Sequence, residues 1–218
     1  MNTRFERIST LVTGVLAVTL WIVGLVVSQA TTTHLSDKAT DAQVLAWVQG
    51  NKNPIILGSW LFMIGCISFV WFAGMLRSRL AAAEAGDRTL STIAFAGGVM
   101  AAAFGIGGQS DIASAINADA VSAATAGTLH RGGDVMFVGA ELSIVVLLAA
   151  VAVLAFRTAV VPRWWGIVGA LIAAVALIGP IGWAALIFGL PVWTLATAAM
   201  LARAPRGGVA RTTAAATA

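Results

Sequence analysis

The chain has 218 residues, 59% of them hydrophobic and only 10% charged. A soluble domain carries roughly 25% charged residues, so this chain cannot cover a water-facing surface of ordinary composition. The net charge of +4 comes from basic residues set singly at the ends of apolar runs, and without a stripe or cluster it excludes a nucleic-acid partner.

The first apolar run covers residues 8–30, behind Arg4 and Arg7. It is too long for the core of a cleavable signal, and Ser28-Gln29-Ala30 is a weak cleavage site, so a retained span is predicted. Residues 31–53 then form the largest external loop. Within it, residues 36–49 read as a short amphipathic helix. Ser36 can cap it, Asp37 favours its start and Gly50-Asn51 can end it. Val44, Leu45, Trp47 and Val48 give it an apolar side. It is expected to lie as a lid on the outer leaflet or the bundle, or to gate a ligand cavity.

Five more apolar segments follow, at residues 54–76, 90–113, 134–156, 164–181 and 183–201. The last two form one stretch of 39 residues between Arg163 and Arg203, broken only at Gly179-Pro180-Ile181-Gly182. That is about two spans of 20 residues, so a tight hairpin is predicted at the break. Lipid offers backbone groups no partners, and continuous apolar runs fit helices rather than alternating barrel strands. The expected fold is an all-α membrane protein with six transmembrane helices in one bundle, residues 1–203. The polar, basic tail 204–218 is expected to be disordered.

Six spans place Arg4, Arg7, Arg77, Arg79, Arg88, Arg157, Arg163, Arg203, Arg206 and Arg211 on one side, and Lys38, Lys52 and Arg131 on the other. This split of 10 to 3 predicts that both termini and the tail are cytoplasmic and that the amphipathic helix is external. Trp164 and Trp165 would then mark the inner interface and Trp183 the outer one. A multi-pass protein of the inner (plasma) membrane follows, with the bilayer and a second copy or another membrane protein as its expected partners.

The residue that stands out chemically is Glu141, a lone carboxylate inside the apolar run 135–156. Charge there is costly, so the side chain is expected to face the bundle interior and to mark a functional site. His130, Asp134 and Glu141 share one helix face and would form a polar line running inward from the outer surface. Glu141 would lie roughly 10–15 Å below the outer end of its span, level with Thr19, Ser68, Trp193 and Thr194. A neutral carboxyl hydrogen-bonded between helices, a proton or cation relay, and a substrate-binding or catalytic acid are the three readings.

The third span offers a facing partner. Gly97, Ala101 and Gly105 recur every fourth residue, a pattern that allows close helix packing. Its outer end carries Gln109 and Asp111, which with His130 and Arg131 could line an outward-facing funnel. The plainer account pairs Arg131 with Asp134 at the surface. These glycines lack the ending of a phosphate-binding loop. Cys66, the one cysteine, reads as a small packing residue. His34 and His130 supply too few ligands for a zinc site, although His130 with Asp134 and Asp111 could bind a metal weakly, and no cofactor is expected.

Several local patterns add a resemblance. Asn51-Lys-Asn-Pro54, Trp60-Leu-Phe, Leu76-Arg-Ser-Arg79, Pro162-Arg-Trp-Trp-Gly166 and Ile181-Gly-Trp-Ala184 resemble an uncharacterised group of six-helix integral membrane proteins common in high-GC actinobacteria. Asp134 with Glu141 fits that group's fourth span. The resemblance covers most of the chain and implies an inner-membrane protein, with no activity or catalytic signature to carry over. The leading expectation is a small transporter or channel-like protein whose Glu141 faces an outward-opening polar cavity. The alternatives are a membrane-embedded enzyme acting on a lipophilic substrate and a non-catalytic subunit that binds partner helices.

Overall fold

The computed structural model describes residues 3–30, 35–36, 38–84, 86–158 and 160–203. Among these residues the chain is all helical. The helices are α1 (Thr3–Ala30), α2 (Asp41–Gly50), α3 (Lys52–Ala83), α4 (Thr89–Gly107), α5 (Asp111–Ile116), α6 (Ala123–Arg157), α7 (Arg163–Ala176) and α8 (Gly182–Arg203). Five stretches are long and apolar enough to cross a membrane: Phe5–Ser28, Lys52–Ala83, Thr89–Ile116, Ala123–Arg157 and Gly182–Arg203. The chain is a multi-pass membrane protein. Tail residues 204–218, Arg4's side chain, His34 and Asp37 lie outside what the structure describes.

Six helices close a ring in the order α1, α3, α4, α6, α7, α8 and back to α1. Small residues set the closest approaches. A β-carbon on Gly58 would sit 2.6 Å from the Gly24 carbonyl oxygen, and one on Gly24 would sit 2.7 Å from the Gly58 carbonyl oxygen. Backbone meets backbone there between α1 and α3. Between α4 and α6, a β-carbon on Gly97 would lie 2.6 Å from the Leu147 amide nitrogen. Around these crossings Phe69, Phe72, Leu76, Ile144, Leu147, Leu148 and Trp193 are fully buried. The outward faces stay apolar, as lipid requires, with Val15, Ile67, Trp71 and Leu171 exposed.

Outside the ring, α2, α5 and the first turns of α6 form a cap with its own small core of Val44, Val48, Ile55, Ala115 and Ala126. Here the structure moves a boundary. The helix expected over 36–49 begins at Asp41 and ends at Gly50. Thr40, not Ser36, is the cap, because Gln43 three residues on completes a capping box: the Thr40 amide donates to Gln43 Oε1 at 2.8 Å, and the Gln43 amide donates to Thr40 Oγ1. Ser36 instead holds the preceding turn, accepting from the Ala39 amide. Arg131 reaches across to Asp41 at 2.8 Å rather than pairing with Asp134. Gln49 ties the cap to the Ala118 carbonyl at 2.9 Å.

The third expected span, 90–113, lies within the crossing stretch Thr89–Ile116, but its helix breaks near the end. Helix α4 ends at Gly107, and Gly108 leads into the separate short helix α5. The fifth, 164–181, also ends early. Helix α7 stops at Ala176, because Pro180 has no amide proton and disfavours helix at the residue before it. Gly179–Ile181 make one 3-10 turn, and α8 then opens with Gly182–Ala184 in α form and Ala185–Gly189 in π form before Leu190–Arg203 runs regularly. Trp165, expected at the inner interface, is buried and donates to Thr197 Oγ1 at 2.9 Å. Trp164 beside it is exposed.

The loop between α3 and α4 turns on Gly86, whose φ of 82° favours glycine, with Arg88 also at a positive φ of 55°. Glu84 then accepts from the Leu90 and Ser91 amides at 2.8 and 2.9 Å, covering two free donors at the start of α4. Desolvation pushes the Glu84 carboxyl up, but those amides, the Ser91 hydroxyl and Arg157 outweigh it and hold it below the usual carboxylate range.

Candidate functional site

A cavity of about 110 Å³, partly open to the outside of the ring, lies where α1, α3, α4, α6 and α8 converge. Its wall is aromatic and apolar. Trp21 comes from α1, Phe62, Cys66 and Phe69 from α3, Phe104 from α4, and Phe137 from α6. The π turn of α8 adds Leu186 and Ile187. The local reasons are plain. Phe62 and Phe69 are two helical turns apart and so share a face. Gly105 keeps α4 close to α3, since a β-carbon there would lie 3.1 Å from Cys66 Sγ. A π turn adds a residue per turn and shifts the side chains of α8 around its axis, and such turns recur at functional sites.

Two polar groups reach this wall. Trp21 is 7% exposed, and its indole nitrogen is buried with only the weakly accepting thiol of Cys66 as its partner among the described residues. Gln109 lies one turn outward of Gly105 and is half-buried. Trp21 packs on Phe69 at 5.0 Å between ring centres and on Phe62 at 6.4 Å.

Glu141 is buried, 6% exposed, but does not line the cavity; its neighbour Ala140 does. The carboxyl lies in a notch beneath the hairpin between α7 and α8. A β-carbon on Gly182 would be 3.0 Å from Glu141 Oε2 and 2.9 Å from the Ala176 carbonyl oxygen. Among the described residues, Glu141 makes no hydrogen bond or ion pair. Of the groups expected level with it, Thr19 is exposed, Ser68 donates to the Ile64 carbonyl, and Trp193 and Thr194 are buried elsewhere without partners.

The polar line expected along α6 therefore divides. His130 Nδ1 and Asp111 Oδ2 are 2.9 Å apart in the cap, with Trp47 edge-on to the imidazole. Asp134, one turn further along, is exposed. Among the described residues, Asp111 Oδ1 and the Ser114 hydroxyl are buried without partners. Ser110 donates to the Leu129 carbonyl at 2.6 Å and fastens α5 to α6. Among the described residues no three His, Cys, Asp or Glu side chains converge as metal ligands. In α4, Gly97 meets α6, Gly105 meets α3, and Ala101 lines the cavity.

The aromatic wall carries no sequence signal, because its residues come from four helices far apart in the chain. The nearest hint is Phe62, Cys66 and Phe69 recurring on one face of α3. No family model, curated protein or solved structure matches the chain.

Proposed function

We propose that this protein binds a small lipophilic molecule inside the bilayer and passes or senses it there. The observation that carries the reading is the aromatic cavity between α1, α3, α4, α6 and α8. An apolar chamber gives an ion no substitute for its hydration shell, but it suits an apolar guest, which gains by leaving water and by contact with ring faces. Pockets of this kind, lined by apolar groups with a few polar ones, are the common form of small-molecule sites.

The test uses the purified protein in nanodiscs and fluorobenzene as probe. Ligand that binds only the folded state raises its stability in proportion to occupancy. Fluorobenzene should raise the melting temperature of the parent by a few degrees. Ala101→Phe fills the chamber, so it should melt at least as high as the parent and show no further rise. A parent that does not respond, or an equal response in both, sinks the reading. If Ala101→Phe does not fold, Ala140→Leu takes its place.

The same proposal places the protein in the plasma membrane with six spans, both termini inside and the cap outside. The distribution of 10 basic residues against 3 supports this orientation. Cysteines introduced in a Cys66→Ala background should report it. Thr33→Cys and Ala124→Cys should label from outside intact cells, and Ala81→Cys and Ala214→Cys should not. Labelling at Ala81→Cys in intact cells reverses the topology.

A further inference from the structure

A groove open to the outside runs between α3 and α4, away from the chamber. Val70, Trp71, Gly74, Met75 and Ser78 of α3 line it, with Phe95 of α4 opposite. The α3 residues fall at helical spacing, so they share one face. Gly74 is the floor, where a β-carbon would meet the Phe95 ring at 3.9 Å. From Val70 to Ser78 the groove is about 12 Å long, at about 1.5 Å per residue. That is less than half of a hydrocarbon core of about 30 Å. Beyond Trp71 the face carries Ile67 and Ile64, both bulky and exposed. A partner transmembrane helix would need a groove along the whole span. One acyl chain, which occupies a single leaflet, matches the length that is there.

The groove ends at a cation. Arg77 leaves α3 beside Ser78 and reaches across to α4, where its Nη2 stands 3.5 Å from Thr92 Oγ1. Thr92 lies one turn before Phe95, and its hydroxyl donates to the Arg88 carbonyl at 2.9 Å, so Arg88 belongs to the same edge. Arg77 is exposed, and among the described residues it pairs with no carboxylate. Of the two acids in the loop, Glu84 is taken up by the Leu90 and Ser91 amides, and Asp87 makes no ion pair among the described residues. The long contact to Thr92 leaves most of the five guanidinium donors free. Their flat fork suits a phosphate, which it meets with two parallel bonds. An apolar groove one leaflet deep, closed by an unpaired arginine, has the chemistry of a lipid with a negative head.

We propose that this groove holds one anionic phospholipid, with an acyl chain lying over Gly74 between Trp71 and Phe95 and the phosphate against Arg77. The site is separate from the aromatic chamber and does not rest on the lipophile reading.

Native mass spectrometry of the full chain in detergent tests this, with equal amounts of phosphatidylglycerol and phosphatidylcholine carrying the same acyl chains. The parent should retain about fivefold more phosphatidylglycerol, the worth of about one arginine at an anionic surface. Arg77→Gln should bring the ratio close to one. Arg163→Gln removes an exposed arginine at the start of α7 and should keep the parent's ratio. Gly74→Leu fills the floor and should lose retained phosphatidylglycerol severalfold with Arg77 still in place. If Gly74→Leu does not fold, Ser78→Leu, which blocks the exposed mouth, takes its place. A parent without preference overturns the proposal. Equal falls in Arg77→Gln and Arg163→Gln would make the preference one of net charge and overturn the site. Phosphatidylglycerol kept in full by the groove-filling variant also overturns it. So does a dimeric parent that the groove-filling variant splits without loss of lipid, since the groove would then belong to a second copy.

Discussion

Gly58→Ala should cost the protein about 2 kcal/mol of stability, a large loss for a single methyl group. Its β-carbon would meet the Gly24 carbonyl oxygen, the Ser28 amide nitrogen and the Ser28 β-carbon, all within 2.7 Å. Two of the three are backbone atoms, so no rotamer change relieves the contact and α1 must move away from α3. Overpacking costs about 1–3 kcal/mol, here at the upper end, and the better helix propensity of alanine returns about 1 kcal/mol. Gly97→Ala meets the Leu147 backbone in the same way and should lose a similar amount. Gly132 is the control: it sits inside α6 with nothing within 4 Å, so Gly132→Ala should gain stability. Unfolding of the three variants in mild detergent checks this. A Gly58→Ala protein that melts with Gly132→Ala would mean that α1 and α3 do not cross so closely.

Glu141→Met should make the protein more stable, by about 1 kcal/mol. A buried polar group without a partner costs about 1–3 kcal/mol, and replacing it with an apolar group of like shape is neutral or favourable. Methionine matches glutamate in length and adapts to irregular space. Glu141→Gln keeps a polar end in the same notch and should change stability little. The two variants separate a structural carboxyl from one retained for another reason. A methionine variant that melts several degrees below the parent would show that Glu141 does hold the hairpin, and the notch would need a donor beyond those described here.

The helical class and most span positions were legible because lipid removes the usual ambiguity: long apolar runs have few other folds open to them. Local punctuation is less legible. Ser36 and Thr40 are both capping residue types, but only Thr40 has Gln43 at the distance that closes a capping box. The break at Gly179-Pro180 is visible in the sequence and predicts a turn between two full spans. In the structure α7 ends at Ala176, five residues before the expected end at 181, and the irregularity spreads through Gly189.

The candidate site was legible only in part. His130, Asp134 and Glu141 do share one face of an ideal helix. However, α6 has 35 residues and meets the cap at one end and the ring at the other. The three therefore meet different neighbours: Asp111, solvent and the Gly182 hairpin. Periodicity reports direction around a helix axis, not what stands opposite at each height. The aromatic chamber was invisible for the same reason, since no single helix contains enough of it to form a pattern.

The early end of α7 also has a consequence for the bilayer. Fourteen residues make a rod of about 21 Å, against a hydrocarbon core of about 30 Å. The hairpin tip is nonetheless apolar at its surface, with Leu177, Ile178, Ile181 and Trp183 each about half exposed. Those side chains need lipid around them, so the leaflet at the hairpin end has to thin towards α7, while α8 beside it, with 22 residues, is long enough to cross in full. Hydrophobic mismatch of this kind costs fractions of a kcal/mol per Å. The protein should therefore gather shorter or more fluid lipids along α7 and carry a dimple in the membrane on that flank alone.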